Sequence, residues 1–453
     1  MIDLEIKINQ VWHQEVRPLV AEAYRCYTSG SARASIMLTW TAVCADLIHK
    51  IHQLAEDGDG EAQEVVDKIE AAQKSPDSKQ SVQSMQQVES GLLDTAEKAE
   101  LIDHVQKREL SRLKEDRNLS AHPSLRPLGE LFAPTTEYAR AHLAAAMEAL
   151  LLHPPSQGRR AVERYRSHVD DPGFIGMAGV LTQHFFDRAK SGTRRSILSL
   201  AAKHALLELP TDSSQDDGLL ADRHATCLRT FAESNRELAA QALIAVIPRF
   251  PHLPLEQQIR AVVRLADLDI FWDALDSAST AQLDTYIERI CPPDAYTPLP
   301  VDQIAPLSLV EVPRARTELP SLRPKFQALS PYQKASVIAR RPGPYGAGFL
   351  AAILKEAGSF RMAESLAKNT VPQCAPHMTE AQLGSILEAW AENYECRASM
   401  GMLKLAPTFY SLVPAALRKH GAWQTFLDDV KAADDSDGFF SYQDLEEVMK
   451  ETT

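Results

Sequence analysis

The sequence predicts an all-α protein. Apolar residues recur at spacings of three and four along most of the chain, and no long alternating apolar–polar run marks a strand. Hydrophobic residues make up 45% and charged residues 24%, the balance of a chain that buries a substantial core. At roughly 100–200 residues per domain, 453 residues imply two or three domains.

The elements follow in order. Residues 15–28 form an amphipathic helix that stops at Ser29-Gly30. A long helix over about 31–55 comes next, with Ile36, Trp40, Val43, Cys44, Leu47, Ile51 and Leu54 on helical spacing. Two polar helices, near 60–73 and 79–95, are separated by Ser75-Pro76-Asp77-Ser78. A charged helix over about 96–117 and another over about 135–152 complete a first domain, residues 1–153. His153-Pro154-Pro155-Ser156-Gln157-Gly158 breaks the pattern and is read as a boundary.

Residues 159–290 are expected to form a second helical domain, with apolar helices over 174–208, a polar loop at Thr211–Gly218 and a helical array over 219–290. Residues 291–345 are rich in proline and read as a connection or a loop-heavy cap. Helices resume over 346–453, either as a separate region or as one domain with 159–290. The segments around Pro248-Arg249-Phe250 and Pro407-Thr408-Phe409 share P-x-F-x-x-L, which allows helical-hairpin repeats without establishing a period.

The formal net charge of -13 argues against a general polyanion binder, because phosphate binding draws on Lys and Arg. One local basic patch exists: Lys107, Arg108, Arg112, Lys114, Arg117 and Arg126. Cys26, Cys44, Cys227, Cys291, Cys374 and Cys396 include no CxxC pair, so neither a zinc ribbon nor a thioredoxin-like redox site is suggested, and a reducing cytoplasm is expected. The N-terminal stretch lacks the apolar core of a secretory leader, and no run approaches the ~20 apolar residues of a membrane span.

The chemistry centres on Arg117-Asn118-Leu119-Ser120-Ala121-His122. Leu110, Leu113 and Arg117 are spaced i, i+3, i+7, so Arg117 extends an apolar stripe and needs a partner or a cleft. Pro123 disfavours helical geometry at His122 and places it in the following turn. RNA supplies its own nucleophile, the 2′-OH. Histidine can take that proton near neutral pH, and arginine can hold the phosphate through its fork. Asparagine can orient either group through its amide. By spacing alone about one R-x4-H is expected by chance in a chain of this composition. The same residues also fit an arginine binding helix-end carbonyls and a histidine packed in a turn.

Asp116–Ser124, reading DRNLSAHPS, resembles the signature of the HEPN family, an R-[polar]-x(3–5)-H motif closing a helical domain. Glu22 to Ile36, with its glycine turn at Gly30, and the continuation Trp40-Thr41-Ala42-Val43 are similar to the family's first two helices. The resemblance covers about residues 10–152. It implies a helical domain that dimerises, pairing two motifs in a composite groove. Many members are metal-independent endoribonucleases of antiviral defence or toxin–antitoxin systems. Carried to this chain, Arg117 and His122 are catalytic and Asn118 supports them. An acidic residue of the second helix falls at Asp46, or the aligned position is Cys44. Ser124 stands where members silenced by adenylylation carry tyrosine.

Other sites carry less. Asp434-Asp435-Ser436-Asp437-Gly438 lacks the first and last ligands of an EF-hand loop and reads as a solvated acidic turn. His49 and His52 are spaced i, i+3 without a further ligand. No phosphate-binding glycine loop exists.

The expected function is therefore cleavage of RNA to 2′,3′-cyclic phosphate ends, with no cofactor and no metal. Arg108, Arg112, Lys114 and Arg126 are the expected RNA contacts. A homodimer is expected, and the C-terminal region would meet a regulatory or sensor partner. The competing expectation is an inactive dimerisation or scaffold protein.

Overall fold

The computed structural model describes residues 4–74, 77–122, 131–155, 157–295, 297–433 and 440–451. Helices dominate and no strand occurs among the described residues, so the fold is all-α. None of these helices is long and apolar enough to cross a membrane. The chain divides into two compact units: Met1–Ala201 with Ser213–Gln215 and Thr226–Leu238, and Ala202–Asp212 with Asp216–Ala225 and Ala239–Thr453. The break expected at residues 153–158 lies within the first unit.

The first unit is built around one helix. Its first seven helices are α1 (Leu4–Ile8), α2 (Arg17–Thr28), α3 (Ala32–Glu56), α4 (Gly60–Gln73), α5 (Lys79–Lys98), α6 (His104–Ala121) and α7 (Thr136–Ala146). Helices α2, α4, α5, α6 and α7 all pack against α3. The expected apolar positions of α3 form its buried side: Ile36, Val43, Leu47 and Ile51 are fully buried, and Trp40 and Leu54 nearly so. Local chemistry sets the ends. Gly30 turns the chain between α2 and α3 at φ +82°, where a Cβ would be strained. Asp59 caps α4, Ser78 caps α5 and Thr135 caps α7, each accepting from a backbone N–H of the first turn.

The charged helix begins later than its composition suggests. Asp103 forms a capping box with Gln106, so α6 starts at His104, and Glu100 occupies the left-handed region at φ 59° in the turn before it. Helix α7 passes into a π-helical turn, Met147–Leu151, whose Leu151 carbonyl accepts from the Trp12 backbone N–H.

That turn also meets a buried ion pair. Asp46 and Lys50 lie one turn apart on α3, both fully buried, with Lys50 Nζ 2.5 Å from Asp46 Oδ2. The same ammonium donates to the Leu150 carbonyl at 2.6 Å. Burial pushes the Asp46 carboxyl up and the Lys50 amine down, and each partner's charge opposes that shift.

Helices α8 (Gly158–Asp170), α9 (Ala178–Phe185) and α10 (Ser191–Leu207) follow. Helix α8 escapes a reading by composition because charge surrounds its one apolar row, Ala161, Tyr165 and Val169, all buried. It begins at Gly158 with φ +54°, where the Arg159 backbone N–H donates to Glu100 Oε2 at 2.6 Å.

The second unit is a succession of short helices. Residues 291–345, expected as a connection, carry the helices Val301–Leu307, Pro313–Glu318, Leu322–Gln327 and Pro331–Arg340. Pro313 and Pro331 stand at helix starts, where a missing N–H costs nothing. Proline here punctuates short helices instead of extending the chain. The two P-x-F-x-x-L segments share a buried phenylalanine but not a conformation: Ile247–His252 is a 3₁₀ helix, whereas Pro407 lies inside the α-helix Met400–Leu412.

The buried pair makes a test of the core. Lys50→Met leaves the Asp46 carboxylate buried without its counter-charge and is expected to cost about 3–5 kcal/mol in denaturant unfolding. The double variant Asp46→Leu/Lys50→Met is expected to recover most of that loss. Equal losses in the two variants would mean that the ion pair is not what holds α3 to the π-helical turn.

Candidate functional site

The motif residues occupy the last turn of α6 and its cap. Leu110 and Leu113 are buried, and Arg117 continues their stripe half-buried. Its Nη1 donates to Asn118 Oδ1 at 3.0 Å. That bond engages one edge of the guanidinium and turns the amide of Asn118 toward it. His122 is the C-cap at φ -122° and ψ 85°, outside helical geometry, as its proline neighbour requires. Its backbone N–H donates to the Asn118 carbonyl at 2.9 Å, while the imidazole is exposed. The structure thus brings a restrained arginine, an asparagine and an exposed histidine to one helix end.

Cys44 on α3 lies within electrostatic reach of Arg117. Burial pushes its thiol up to about 12, the Glu89 charge adds to that shift, and the charges of Arg117 and Lys114 oppose it. Asp46 pairs with Lys50 in the core and contacts no motif residue among the described interactions. Two positions along a helix is about half a turn, so Asp46 projects from a different face of α3 than Cys44. Its carboxylate is held by Lys50 in the core.

A different carboxylate stands at the motif. Asp116, immediately before Arg117, receives two hydrogen bonds from α7 on one oxygen, Oδ2. The Tyr138 hydroxyl donates at 2.6 Å, and His142 Nε2 lies at 2.9 Å. With Asp116 ionised, His142 donates through Nε2, leaving Nδ1 as the ring's other nitrogen. The two rings meet edge to face at a centroid distance of 4.6 Å. His142 is buried and Tyr138 is exposed. The hydrogen bond to Asp116 raises the Tyr138 phenol above its ordinary value, with burial and the Asp116 charge adding to it. The sequence does carry one signal of this cluster, since Tyr138 and His142 are spaced i, i+4 on a helix, but nothing in it pairs them with Asp116.

The basic patch is partly spent on structure. Lys107 pairs with Asp94 and Glu97, each at 2.6 Å. Lys114 Nζ donates to the Ser90 carbonyl at 2.9 Å, tying α6 to α5. Arg108 and Arg112 are exposed and make no ion pair among the described residues. The Arg112 charge reaches Tyr138, so this arginine lies on the side of α6 that faces the new cluster. Arg126 lies outside the described residues, as does the acidic turn Asp434–Gly438.

His49 is engaged elsewhere. It faces Glu15 at 3.4 Å and stacks on His13 at a centroid distance of 5.0 Å. Burial, followed by the charges of Lys50 and His49, brings His13 down to about 4. No group of three or more metal-ligating side chains gathers among the described residues.

No family model, curated protein or solved structure matches this chain.

The carboxylate cluster predicts a titration. The Tyr138 phenol is expected to ionise at higher pH than an ordinary tyrosine, because ionising it removes the donor to Asp116 and places two negative charges together. Asp116→Asn is expected to bring it back down, as followed by NMR of ring-labelled tyrosine. An unchanged Tyr138 titration would show that the hydroxyl does not donate to this carboxylate in solution.

Proposed function

We propose that this chain is a metal-independent endoribonuclease of the HEPN type, acting as a toxin or effector of antiviral defence under control of its C-terminal region. The observation that carries the reading is the end of α6: Arg117 held by Asn118, one turn from an exposed His122. The first unit's helices over the region of the resemblance, with the motif on the sixth, are consistent with it.

The chemistry follows from the residue types. A 2′-OH loses its proton to the His122 imidazole as its oxygen attacks the adjacent phosphorus. The P–O5′ bond breaks, and the leaving oxygen takes a proton from water to become a 5′-hydroxyl, while the imidazolium returns its own proton to the solvent. The remaining product is a 2′,3′-cyclic phosphate. Arg117 offers its free N–H groups to the phosphate and stabilises the charge that builds on its oxygens. Asn118, by holding the guanidinium at 3.0 Å, limits the rotamers that Arg117 must surrender on binding. The exposed Arg108 and Arg112 extend a cationic track along α6 toward the phosphates on either side of the cut. Exposure of His122 on one subunit suits a site completed by a second copy across a shared groove.

Cleavage of total cellular RNA in EDTA, with cyclic-phosphate ends mapped, tests the proposal. His122→Ala is expected to lower the rate by about 10²–10⁴-fold, the contribution of a positioned acid–base group. Arg117→Lys is expected to lower the rate as well, because an ammonium lacks the fork. Wild-type protein that neither cuts RNA nor causes His122-dependent toxicity on induced expression would overturn the reading in favour of a dimerisation scaffold.

A further inference from the structure

Six helices of the second unit form one row. Leu255–Leu265, Val301–Leu307, Pro331–Arg340, Phe360–Cys374, Met400–Leu412 and Gln443–Glu451 each pack on the next. Their contacts show that all six run the same way. Burial raises the Tyr286 phenol, and the charges of Asp302 and Glu256 add to it, so the first turns of the first two helices lie near one ring. The Ser330 hydroxyl, which caps the third, donates to the Ala295 carbonyl at 2.7 Å, in the segment leading into the second. The third and fourth meet at their far ends, where Gly343, just past the third, bonds the Cys374 thiol that closes the fourth. The Gly401 N–H, at the start of the fifth, donates to Glu364, just past the first turn of the fourth, at 2.9 Å. The Tyr442 hydroxyl, just before the sixth, donates at 3.1 Å to the Arg397 carbonyl, just before the fifth.

Helices packed side by side lie about 8–10 Å apart. A row of parallel helices therefore brings its first residues to one edge at that interval. Here the edge is apolar in register. Leu255, Val301, Phe360 and Met400 each open their helix and are exposed, Val301 at 84%. Pro331, half-buried, holds the same place in the third helix. A single exposed apolar side chain needs no explanation, but a stripe of them at one helical position marks a binding surface. The exposed Tyr394 widens it, with its ring centroid 5.7 Å from that of Phe360. Charge differs along the stripe. The exposed acids Glu256 and Asp302 stand next to Leu255 and Val301, whereas Arg361 follows Phe360 and Arg397 lies over the Tyr394 ring.

The interval selects the occupant. An extended chain advances about 3.1–3.4 Å per residue, so every third residue meets the next helix of the row. A helix laid along the edge advances about 1.5 Å per residue. It would need about six residues per step, which is not a whole number of its turns, so successive contacts would come from different faces. A polyphosphate would be repelled by the acids that stand beside Leu255 and Val301. We propose that this edge docks an extended segment of a partner protein, with an apolar side chain at every third residue on the stripe and lysine or arginine between them where it crosses Glu256 and Asp302. The surface shares no residue with the R-x4-H motif, and the proposal stands whether or not the chain cuts RNA.

The probe is a fluorescein-labelled peptide of about five Leu-Pro-Lys repeats, enough to span the row, whose prolines favour the extended form. Added to the full chain, it is expected to give a saturable rise in anisotropy. A Leu-Pro-Glu peptide, and a Leu-Pro-Lys-Lys peptide with its leucines at every fourth position, are each expected to bind at least about tenfold more weakly. Val301→Ser and Met400→Ser, both at exposed positions, are each expected to weaken the probe about five- to tenfold, the scale of one apolar side chain partly buried on binding. Glu256→Lys/Asp302→Lys is expected to weaken the lysine peptide and strengthen the glutamate peptide, with unchanged helical circular dichroism in every variant. The proposal is wrong if the probe does not saturate at millimolar concentration. It is equally wrong if the spacing and charge controls bind as well as the probe, or if the serine and lysine variants bind it as the wild type does.

Discussion

Lys50 is the point on which the first unit turns. A fully buried ammonium survives only where its charge is answered, and here Asp46 supplies the counter-charge while the Leu150 carbonyl accepts one of its protons. Leu150 belongs to the π-helical turn, where the backbone departs from α geometry and frees carbonyls for outside donors. Leu151 in the same turn receives the Trp12 N–H. One short irregularity therefore fixes the core helix and the N-terminal segment together. Hydrophobic packing would tolerate α3 rotating or sliding by a fraction of a turn, but a buried pair with a carbonyl acceptor tolerates neither. The consequence reaches the motif, since α6 packs on this same helix and Cys44, within electrostatic reach of Arg117, is less than two turns from Lys50.

The helices of the first unit were legible because they obey local rules. The apolar spacing of α3, the Ser29-Gly30 stop and the capping residues Asp59 and Ser78 act within a few positions, and the observed bounds of α2 to α5 follow them closely. The late start of α6 is equally local, but the capping box of Asp103 and Gln106 is masked by the charged residues on both sides. Proline misled in the second unit because one residue type serves two purposes. It breaks a helix from within and starts one from its first turn, and the choice depends on packing that the sequence does not display.

The candidate site divides the same way. Arg117, Asn118 and His122 are near neighbours in the chain, so their grouping on one helix end could be read directly. Asp116 was present in the same string, yet its significance comes from Tyr138 and His142, which lie 22 and 26 residues further on. No periodicity connects residues across a separation of that length. Asp46 is the opposite case. It matches a pattern in residue type, but its phase on α3 places it with Lys50 in the core. Likewise Lys114 looks like a free cation in sequence and is spent on the Ser90 carbonyl in the fold. Fewer side chains of this surface are free to move than its composition suggests, and Arg108 and Arg112 are the exposed arginines of the patch among the described residues.

Gly158 shows how narrow the route out of the seven-helix core is. Its backbone sits in the left-handed region, and a Cβ there would collide with the Glu100 carboxylate and stand 3.2 Å from Glu100 Cβ. Glu100 is itself held in left-handed geometry while it caps the first turn of α8. A side chain at 158 evicts the cap, and a lost cap leaves the Arg159 N–H without its acceptor while Thr193 still takes the Gly158 N–H. The approach to the joint is closed as well: Pro155 and Gln157 are buried, and position 158 admits glycine and little else.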